Sequence, residues 1–306
     1  MTQVDVPPQE PPMKPSESRF HDLGTVRYHV RTWGDPAHTP LFMLHGWMDV
    51  SASFQFAVDA LARDWYVVAP DWRGFGLSGR APDGYWFPDY IADLDALLDL
   101  YSPDAPALVV GHSMGGNIAN LHAGIRPERI AALVLAEGFG LRATDPTRAP
   151  ERYAKWLEQR KAGATLRPYA DFAAVADRLM RNNPRLQQTQ ADFLARHWAH
   201  VTPAGVVELA ADPRHKWMNP VLYRLEEAIA CWNNITAPVL WIWGGDGESV
   251  HQWMGNDPVE WAARRAAFRH RSECRIADAG HMMHHDQPLA FASAIETFLV
   301  NAGLAS

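Results

Sequence analysis

The 306-residue sequence has few cysteines, no long apolar run and no excess of basic residues. Its two cysteines, Cys231 and Cys274, lie far apart without metal-ligand spacing, which argues against a disulfide framework and favours reduced thiols in a cytoplasmic protein. No apolar run approaches the roughly 20 residues that span a bilayer. A net charge of −7 gives no electrostatic reason to expect nucleic acid or an anionic membrane as a partner. A small molecule is therefore the expected partner.

The first residues lack the apolar segment of a secretory signal peptide. Residues 1–18 contain five prolines and few apolar side chains, a composition that cannot bury enough surface to fold alone. We therefore predict a flexible tail over residues 1–18.

From Thr25 onward, strand-like and helix-like segments alternate along the chain. In residues 25–33, apolar and polar side chains alternate with a period of two, which is typical of a half-exposed strand. Five later runs are short and continuously apolar, as expected for strands that are covered on both faces of a parallel sheet. These runs are residues 41–46, 65–70, 107–112, 131–138 and 238–244. With amphipathic helices between them, the sequence predicts an α/β fold with a mostly parallel central sheet flanked by helices.

The alternation stops between residues 141 and 234. This segment has helical periodicity, contains no good strand candidate, and is too long for a crossover loop. We predict that residues 141–234 form an inserted helical cap. The core then consists of residues 19–140 and 235–306.

The motif GHSMGG occupies residues 111–116, after an apolar run and before a helical one. A G-x-S-x-G pattern in this context indicates a nucleophile elbow, in which Gly111 and Gly115 permit a tight strand-to-helix turn. The turn strains the backbone at Ser113 and projects the hydroxyl above the sheet. We predict that Ser113 is a catalytic nucleophile and that the Met114 N–H helps to form an oxyanion hole.

The segment LHGWMD, residues 44–49, predicts a second oxyanion donor. His45 and Gly46 end an earlier strand and let the chain turn back over the sheet. The N–H of Trp47 would then point to the same place as the Met114 N–H. An ordinary strand-to-loop turn is the alternative interpretation.

A serine hydroxyl needs a base, and fourteen histidines compete for that role. His281 is the best placed, because it lies between the last predicted strand and the last predicted helix, where a loop can reach over the sheet. We expect His284 and His285 to be surface residues at the helix entry. A metal cluster of these three histidines is the alternative, but no acidic or cysteine partner beyond Asp286 lies near them at ligand spacing. We predict no metal.

Gly74, Gly76 and Gly79 have the G-x-G-x-x-G spacing of a dinucleotide-binding site. In such a site, the third glycine opens a helix and an acidic residue follows about 20 residues later. Here, residues 80–88 contain two prolines and read as a loop. We therefore predict no cofactor.

Together, these motifs resemble the α/β-hydrolase superfamily over residues 41–302. The matching segments, in family order, are LHGW, DWRGFGLSG, GHSMGGN, RPERIAALVLAEG, PVLWIWGGD and AGHMMHHDQP. The resemblance implies a Ser–His–acid triad in which Ser113 forms an acyl-enzyme, His281 shuttles the proton and water releases the acid. Serine at the elbow argues against haloalkane dehalogenases and epoxide hydrolases, which carry Asp there. Carbon–carbon bond hydrolases and cofactor-free perhydrolases (haloperoxidases) stay open.

The triad acid has two candidate positions. Most of the superfamily carries an Asp three residues beyond the glycine that ends the strand, and counting from Gly244 this slot is Gly247. Asp246 and Glu248 flank it. Glu137 ends an earlier strand, where some branches of the superfamily carry their acid. We favour Glu137, because its longer side chain suits the more distant strand, and keep Asp246 as the alternative and Glu248 as the third choice.

Thirteen tryptophans are many for this length, and several fall in or beside the predicted cap. We predict that Trp156, Trp198 and Trp217 line an enclosed pocket for an apolar or aromatic group of a carboxylic ester or lactone. The cap arginines are expected to be mostly solvated helix-face residues: Arg142, Arg152, Arg167, Arg181 and Arg196. A catalytically silent protein that binds a small apolar ligand is the alternative outside the enzymes.

Overall fold

An eight-stranded sheet forms the centre of the computed structural model, which describes residues 13–245, 255 and 257–305. Its strands are β1 (Ser16–Leu23), β2 (Val26–Trp33), β3 (Pro40–Leu44), β4 (Tyr66–Pro70), β5 (Ala107–His112), β6 (Ile130–Ala136), β9 (Val239–Gly244) and β10 (Arg271–Ile276). They are arranged in the order β1-β2-β4-β3-β5-β6-β9-β10. From β4 to β10 all neighbours are parallel, and β1 and β2 add an antiparallel edge. The predicted fold class is confirmed.

Helices cover both faces of this sheet. They are α1 (Gln55–Ala60), α2 (Phe87–Tyr101), α3 (Met114–Ile125), α7 (Leu225–Trp232), α8 (Pro258–Ala267), α9 (Met283–Asp286) and α10 (Pro288–Asn301). Successive strand residues point to opposite faces, so that on β5 Val109 packs with α2 and α3 while Leu108 and Val110 pack with α1 and α10. This double burial explains why the inner strands are continuously apolar.

Strand β1 differs from the sequence expectation, because it begins at Ser16, inside the predicted tail of residues 1–18. It pairs with β2 along its whole length. Lys14 precedes it, with its backbone N–H 2.7 Å from Asp59 Oδ1. The tail prediction is therefore wrong at its C-terminal end. An edge strand needs only backbone pairing and one covered face, so its sequence carries little apolar periodicity.

The inserted segment contains α4 (Ala149–Ala162), α5 (Phe172–Asn182), α6 (Gln188–Trp198) and a hairpin of β7 (Ala199–Val201) and β8 (Val207–Leu209). Helices α5 and α6 and the hairpin share an apolar cluster of their own. The hairpin contradicts the expectation that this segment lacks strands. The sequence did not reveal it, because three-residue strands are too short to show an alternation of apolar and polar side chains. Helix α7 packs instead on α3, and its Trp232 joins the main core, so the independent cap ends before Leu225 rather than at residue 234.

None of the helices in the described ranges is both long and apolar enough to cross a membrane. Cys231 and Cys274 are half-buried free thiols, and burial raises the pKa of each.

Candidate active site

Ser113 lies between the last residue of β5 and the first residue of α3, in a strained backbone conformation. Its φ of 51° and ψ of −115° lie in a region that L-residues rarely adopt. The turn is tight because glycines surround it: a Cβ at Gly111 would lie 2.5 Å from the Gly116 Cα, and one at Gly115 would run into the Leu44 carbonyl. The Ser113 N–H donates to the Ala136 carbonyl at 2.8 Å. This is the geometry expected of a nucleophile elbow.

The turn after β3 lies directly against the elbow. A Cβ at Gly46 would lie 3.2 Å from the Ser113 Cβ, so a side chain at this position would press on the elbow. Trp47 follows this glycine, and Met114 is the first residue of α3, where a backbone N–H has no partner within the helix. The structure thus brings the two predicted oxyanion residues to the two sides of Ser113.

His45 holds this turn in place, a role that sequence reasoning did not assign. Its Nδ1–H donates to the Gly46 carbonyl at 2.7 Å, and its Nε2 accepts from the Trp72 N–H at 2.9 Å. Burial lowers the pKa of His45 to about 4, so the imidazole is neutral near pH 7, as this pair of hydrogen bonds requires. The turn next to the elbow is therefore locked through one fixed tautomer.

His281, in the loop after β10, forms a close pair with Glu137, which directly follows β6. The His281 Nδ1–H donates to Glu137 Oε2 at 2.6 Å, while Glu137 Oε1 accepts from the Gly244 N–H at 3.0 Å. The carboxylate is buried, whereas the imidazole side chain is 30% exposed. Glu137 follows β6 directly and has a φ of 50°, which turns the chain sharply after the strand.

The structure thus joins His281 to the favoured acid. The alternative acids, Asp246 and Glu248, and the expected slot, Gly247, lie outside the described residues.

His281 is also held close to the elbow. The His112 Nε2–H donates to the His281 carbonyl at 2.8 Å, and the two imidazole rings are 4.7 Å apart between centroids. Because His112 precedes Ser113, this contact ties the loop of the predicted base to the nucleophile turn.

A cavity of about 200 Å³ opens beside the elbow, and both Trp47 and Met114 line it. Trp156 and Trp217 line it as predicted, together with Tyr85, Trp86 and Met218. A larger groove of about 700 Å³ lies between β10 and α10, and neither Trp47 nor Met114 lines it. The aromatic cavity beside Ser113 is therefore the better candidate for substrate binding.

Trp198 does not line the aromatic cavity, although the sequence analysis placed it in a pocket wall with Trp156 and Trp217. Its Nε1–H donates to the Ser53 Oγ at 3.2 Å, and its ring packs against the apolar cluster of the cap. The arginines of the cavity also differ from those named from the sequence: Arg160 and Arg214 line it, and none of the five arginines named in the sequence analysis does. Three-dimensional packing, which the helical period alone does not encode, separates these side chains.

His284 and His285 are buried, not exposed as expected, with 0% and 3% of their surface accessible. Helix α9 turns both rings inward, where His284 packs against Phe54 with 5.2 Å between ring centroids. The His284 Nε2 lies 3.9 Å from the Oδ2 of Asp49. The acidic neighbour that the sequence seemed to lack therefore comes from a distant part of the chain.

Comparisons with known proteins agree with this fold. Residues 39–288 match the family model described as the alpha/beta hydrolase fold. The chain is 27% identical over 288 residues to a serine hydrolase-like protein of Danio rerio, covering 90% of this chain and 85% of that one. It is 25% identical over 269 residues to Esterase YbfF of Escherichia coli (strain K12), covering 86% and 93%. The thioesterase domain from the curacin biosynthetic pathway matches with a TM-score of 0.80 at 24% identity, covering 92% and 99%.

Proposed function

The chain belongs to the α/β-hydrolase family, and we propose that it is a serine hydrolase that cleaves a carboxylic ester or lactone carrying an apolar or aromatic group. The observation that carries this proposal is the 2.6 Å hydrogen bond from His281 to Glu137 beside the strained turn at Ser113. A base oriented by a carboxylate next to an elbow serine is the arrangement that activates a hydroxyl.

In the proposed mechanism, Ser113 attacks the carbonyl carbon while His281 Nε2 takes the hydroxyl proton. Glu137 holds the imidazole tautomer through Nδ1–H and stabilises the imidazolium that forms. The N–H groups of Trp47 and Met114 donate to the oxyanion. The imidazolium then protonates the leaving alcohol, and a water activated by the same imidazole hydrolyses the acyl-enzyme.

The lining of the cavity supports the proposed substrate class. Tyr85, Trp86, Trp156 and Trp217 form aromatic walls beside the two proposed oxyanion donors. Flat aromatic walls favour aryl and apolar groups, because they remove apolar surface from water and offer edges and faces for ring packing. Relatives named as an esterase and as serine hydrolase-like are compatible with this chemistry.

A second candidate is a carbon–carbon bond hydrolase that acts on an acidic diketone. One observation favours it: Arg160 lines the cavity, with its guanidinium 5.0 Å from the centroid of the Trp156 ring. An arginine in that place can bind a substrate carboxylate. Arg214 also lines the cavity, but its charge is already paired with Asp212 at 2.6 Å.

A fluorophosphonate probe tests the proposed nucleophile. We expect the wild-type protein to be labelled at Ser113, because only an activated serine reacts, and we expect Ser113→Ala to remain unlabelled. Peptide mapping by mass spectrometry identifies the labelled residue. A wild-type protein that resists the probe would instead be a catalytically silent ligand-binding member of the family.

A substrate panel tests the proposed class. We expect aryl and medium-chain esters and lactones to give a higher kcat/KM than acetyl and short polar esters. Arg160→Gln serves as the matched variant, and it should leave neutral esters nearly unaffected. Preferential cleavage of acidic diketones, lost in Arg160→Gln, would favour the second candidate.

A further inference from the structure

Three buried side chains meet beneath the proposed catalytic loops: Asp49, His112 and His284, with 2%, 1% and 0% of their surface exposed. One ligand atom of each lies within 4.8 Å of those of the other two. Each also lies within three residues of a different residue of the proposed catalytic site. Asp49 comes two residues after Trp47, His112 comes directly before Ser113, and His284 comes three residues after His281.

Polar atoms of this cluster lack hydrogen-bond partners among the residues that the structure describes. They are Asp49 Oδ2, His112 Nδ1 and both ring nitrogens of His284. The 3.9 Å from His284 Nε2 to Asp49 Oδ2 is too long for a hydrogen bond. Leaving such atoms buried and unpaired is unfavourable, so a bound group that contacts several of them at once would stabilise the cluster.

The protonation of His112 indicates what kind of group would fit. Its Nε2 must carry the proton, because it donates to the His281 carbonyl at 2.8 Å. Its Nδ1 therefore presents a lone pair to the cluster. Histidines that bind metals usually donate their other ring N–H to a carbonyl or carboxylate in this way.

The charge of the cluster fits a cation. A metal takes neutral imidazoles and a deprotonated carboxylate, which are the groups that His112, His284 and Asp49 would present. Among the residues that the structure describes, no Lys or Arg forms an ion pair with the buried Asp49 carboxylate. A bound cation would supply that missing charge.

We propose that Asp49, His112 and His284 form a buried site for a divalent transition-metal cation of the Zn²⁺ class. Two imidazoles and one carboxylate are a donor set that Zn²⁺ takes in proteins. Tetrahedral ligands at about 2.1 Å from the metal lie about 3.4 Å apart, so small side-chain rotations close the observed 3.9 Å gap. The cation touches no reacting atom in this arrangement, and it joins three segments of the proposed catalytic site at one point.

Metal analysis of the wild-type chain tests the site directly. The purified protein is refolded with Zn²⁺, dialysed against metal-free buffer and measured by inductively coupled plasma mass spectrometry. We expect one Zn²⁺ per chain, and a Tm that rises with added Zn²⁺. Refolding with Co²⁺ should give the visible absorption of a low-symmetry site with nitrogen and oxygen ligands.

Matched variants assign the ligands. The double variant Asp49→Asn with His284→Gln should lose the bound Zn²⁺, and His285→Gln should keep it, because His285 is equally buried but outside the cluster. A wild-type chain that retains no metal would overturn the proposal and leave a buried water as the bridging group. Retention by the folded double variant would also overturn it, since the metal would then lie elsewhere. Metal content is independent of Ser113 labelling, so either proposal can fail alone.

Discussion

Two carboxylate–histidine pairs lie at the same end of the sheet, and they differ in access to solvent. In the first pair, Glu137 Oε2 lies 2.6 Å from His281 Nδ1. In the second, Asp49 Oδ2 lies 3.9 Å from His284 Nε2. Both carboxylates are 2% exposed, but the imidazole of the first pair is 30% exposed and that of the second is fully buried. Burial of the carboxylate therefore does not distinguish a proton-transfer pair from a structural one. The partly exposed imidazole of His281 can exchange a proton with a substrate. The imidazole of His284 is fully buried and cannot reach one, so we call Asp49 and His284 the sealed pair.

The difference arises within three residues of sequence. His281 precedes α9 and remains in an open loop, whereas His284 lies inside α9 and is turned toward the core between Phe54 and Phe291. Two residues of the same type thus acquire different environments from one turn of helix. In this segment, the local backbone decides which histidine is available for chemistry.

The largest effect is expected from Glu137→Gln. The amide keeps the shape of the carboxylate but favours the wrong imidazole tautomer and cannot stabilise the imidazolium, so kcat on an activated ester should fall by about 10⁴-fold. Steady-state kinetics at pH 7 measure this, and KM should change little because the substrate cavity is untouched.

Two carboxamide controls sharpen this result. Asp49→Asn alters the sealed pair and should lower kcat by no more than about tenfold, because it contacts no reacting atom. Asp246→Asn should keep near-normal kcat. A loss of about 10⁴-fold in Asp246→Asn with normal kcat in Glu137→Gln would contradict the assignment of the acid.

Acid stability is expected to show the next largest effect, through His45. The pKa of His45 is about 4 in the folded protein and about 6.5 when unfolded, because burial penalises the charged ring. The unfolded chain therefore binds a proton first, and stability is lost as the pH falls from about 6.5 toward 4. The contribution of His45 reaches about 3 kcal/mol at the acid end of this window.

Urea denaturation at pH 7 and pH 4.5 measures this contribution. His45→Gln should lose less stability between the two pH values than the wild type, since glutamine has no proton to gain. The exposed His38→Gln serves as the control and should follow the wild type. Equal acid losses in His45→Gln and the wild type would show that His45 does not titrate as a buried group.

The smallest effects are expected from two cap tryptophans, one in the aromatic cavity and one near the sealed pair. Trp156 lines the open cavity, and Trp198 donates to Ser53, whose hydroxyl in turn donates to Asp49 of the sealed pair. Trp156→Ala should lower kcat/KM for aryl esters by about 10- to 100-fold, through 1–3 kcal/mol of lost apolar contact. Trp198→Phe should lower the free energy of unfolding by about 1 kcal/mol and leave kcat/KM unchanged. Equal effects of both variants on kcat/KM would mean that the cavity extends to Trp198.

The parts of the site that rest on local sequence were predictable. The elbow at Ser113 follows from glycine spacing after an apolar strand, and the positions of His281 and Glu137 follow from the ends of predicted strands. The contact of Asp49 with His284 was not predictable, because it depends on how α1 and α9 pack. The short β7–β8 hairpin was also not predictable, since three-residue strands show no periodicity. The motifs predict local backbone geometry, but they do not predict contacts between segments that are distant in the sequence.

The hydrogen bond from Gly244 to Glu137 has a practical consequence for protein engineering. In the proposed arrangement the acid comes from the end of β6, and the end of β9 supplies only a backbone N–H to it. An insertion directly after Glu137 should therefore lower kcat, because it would disturb the turn that holds the carboxylate between the Gly244 N–H and the His281 imidazole.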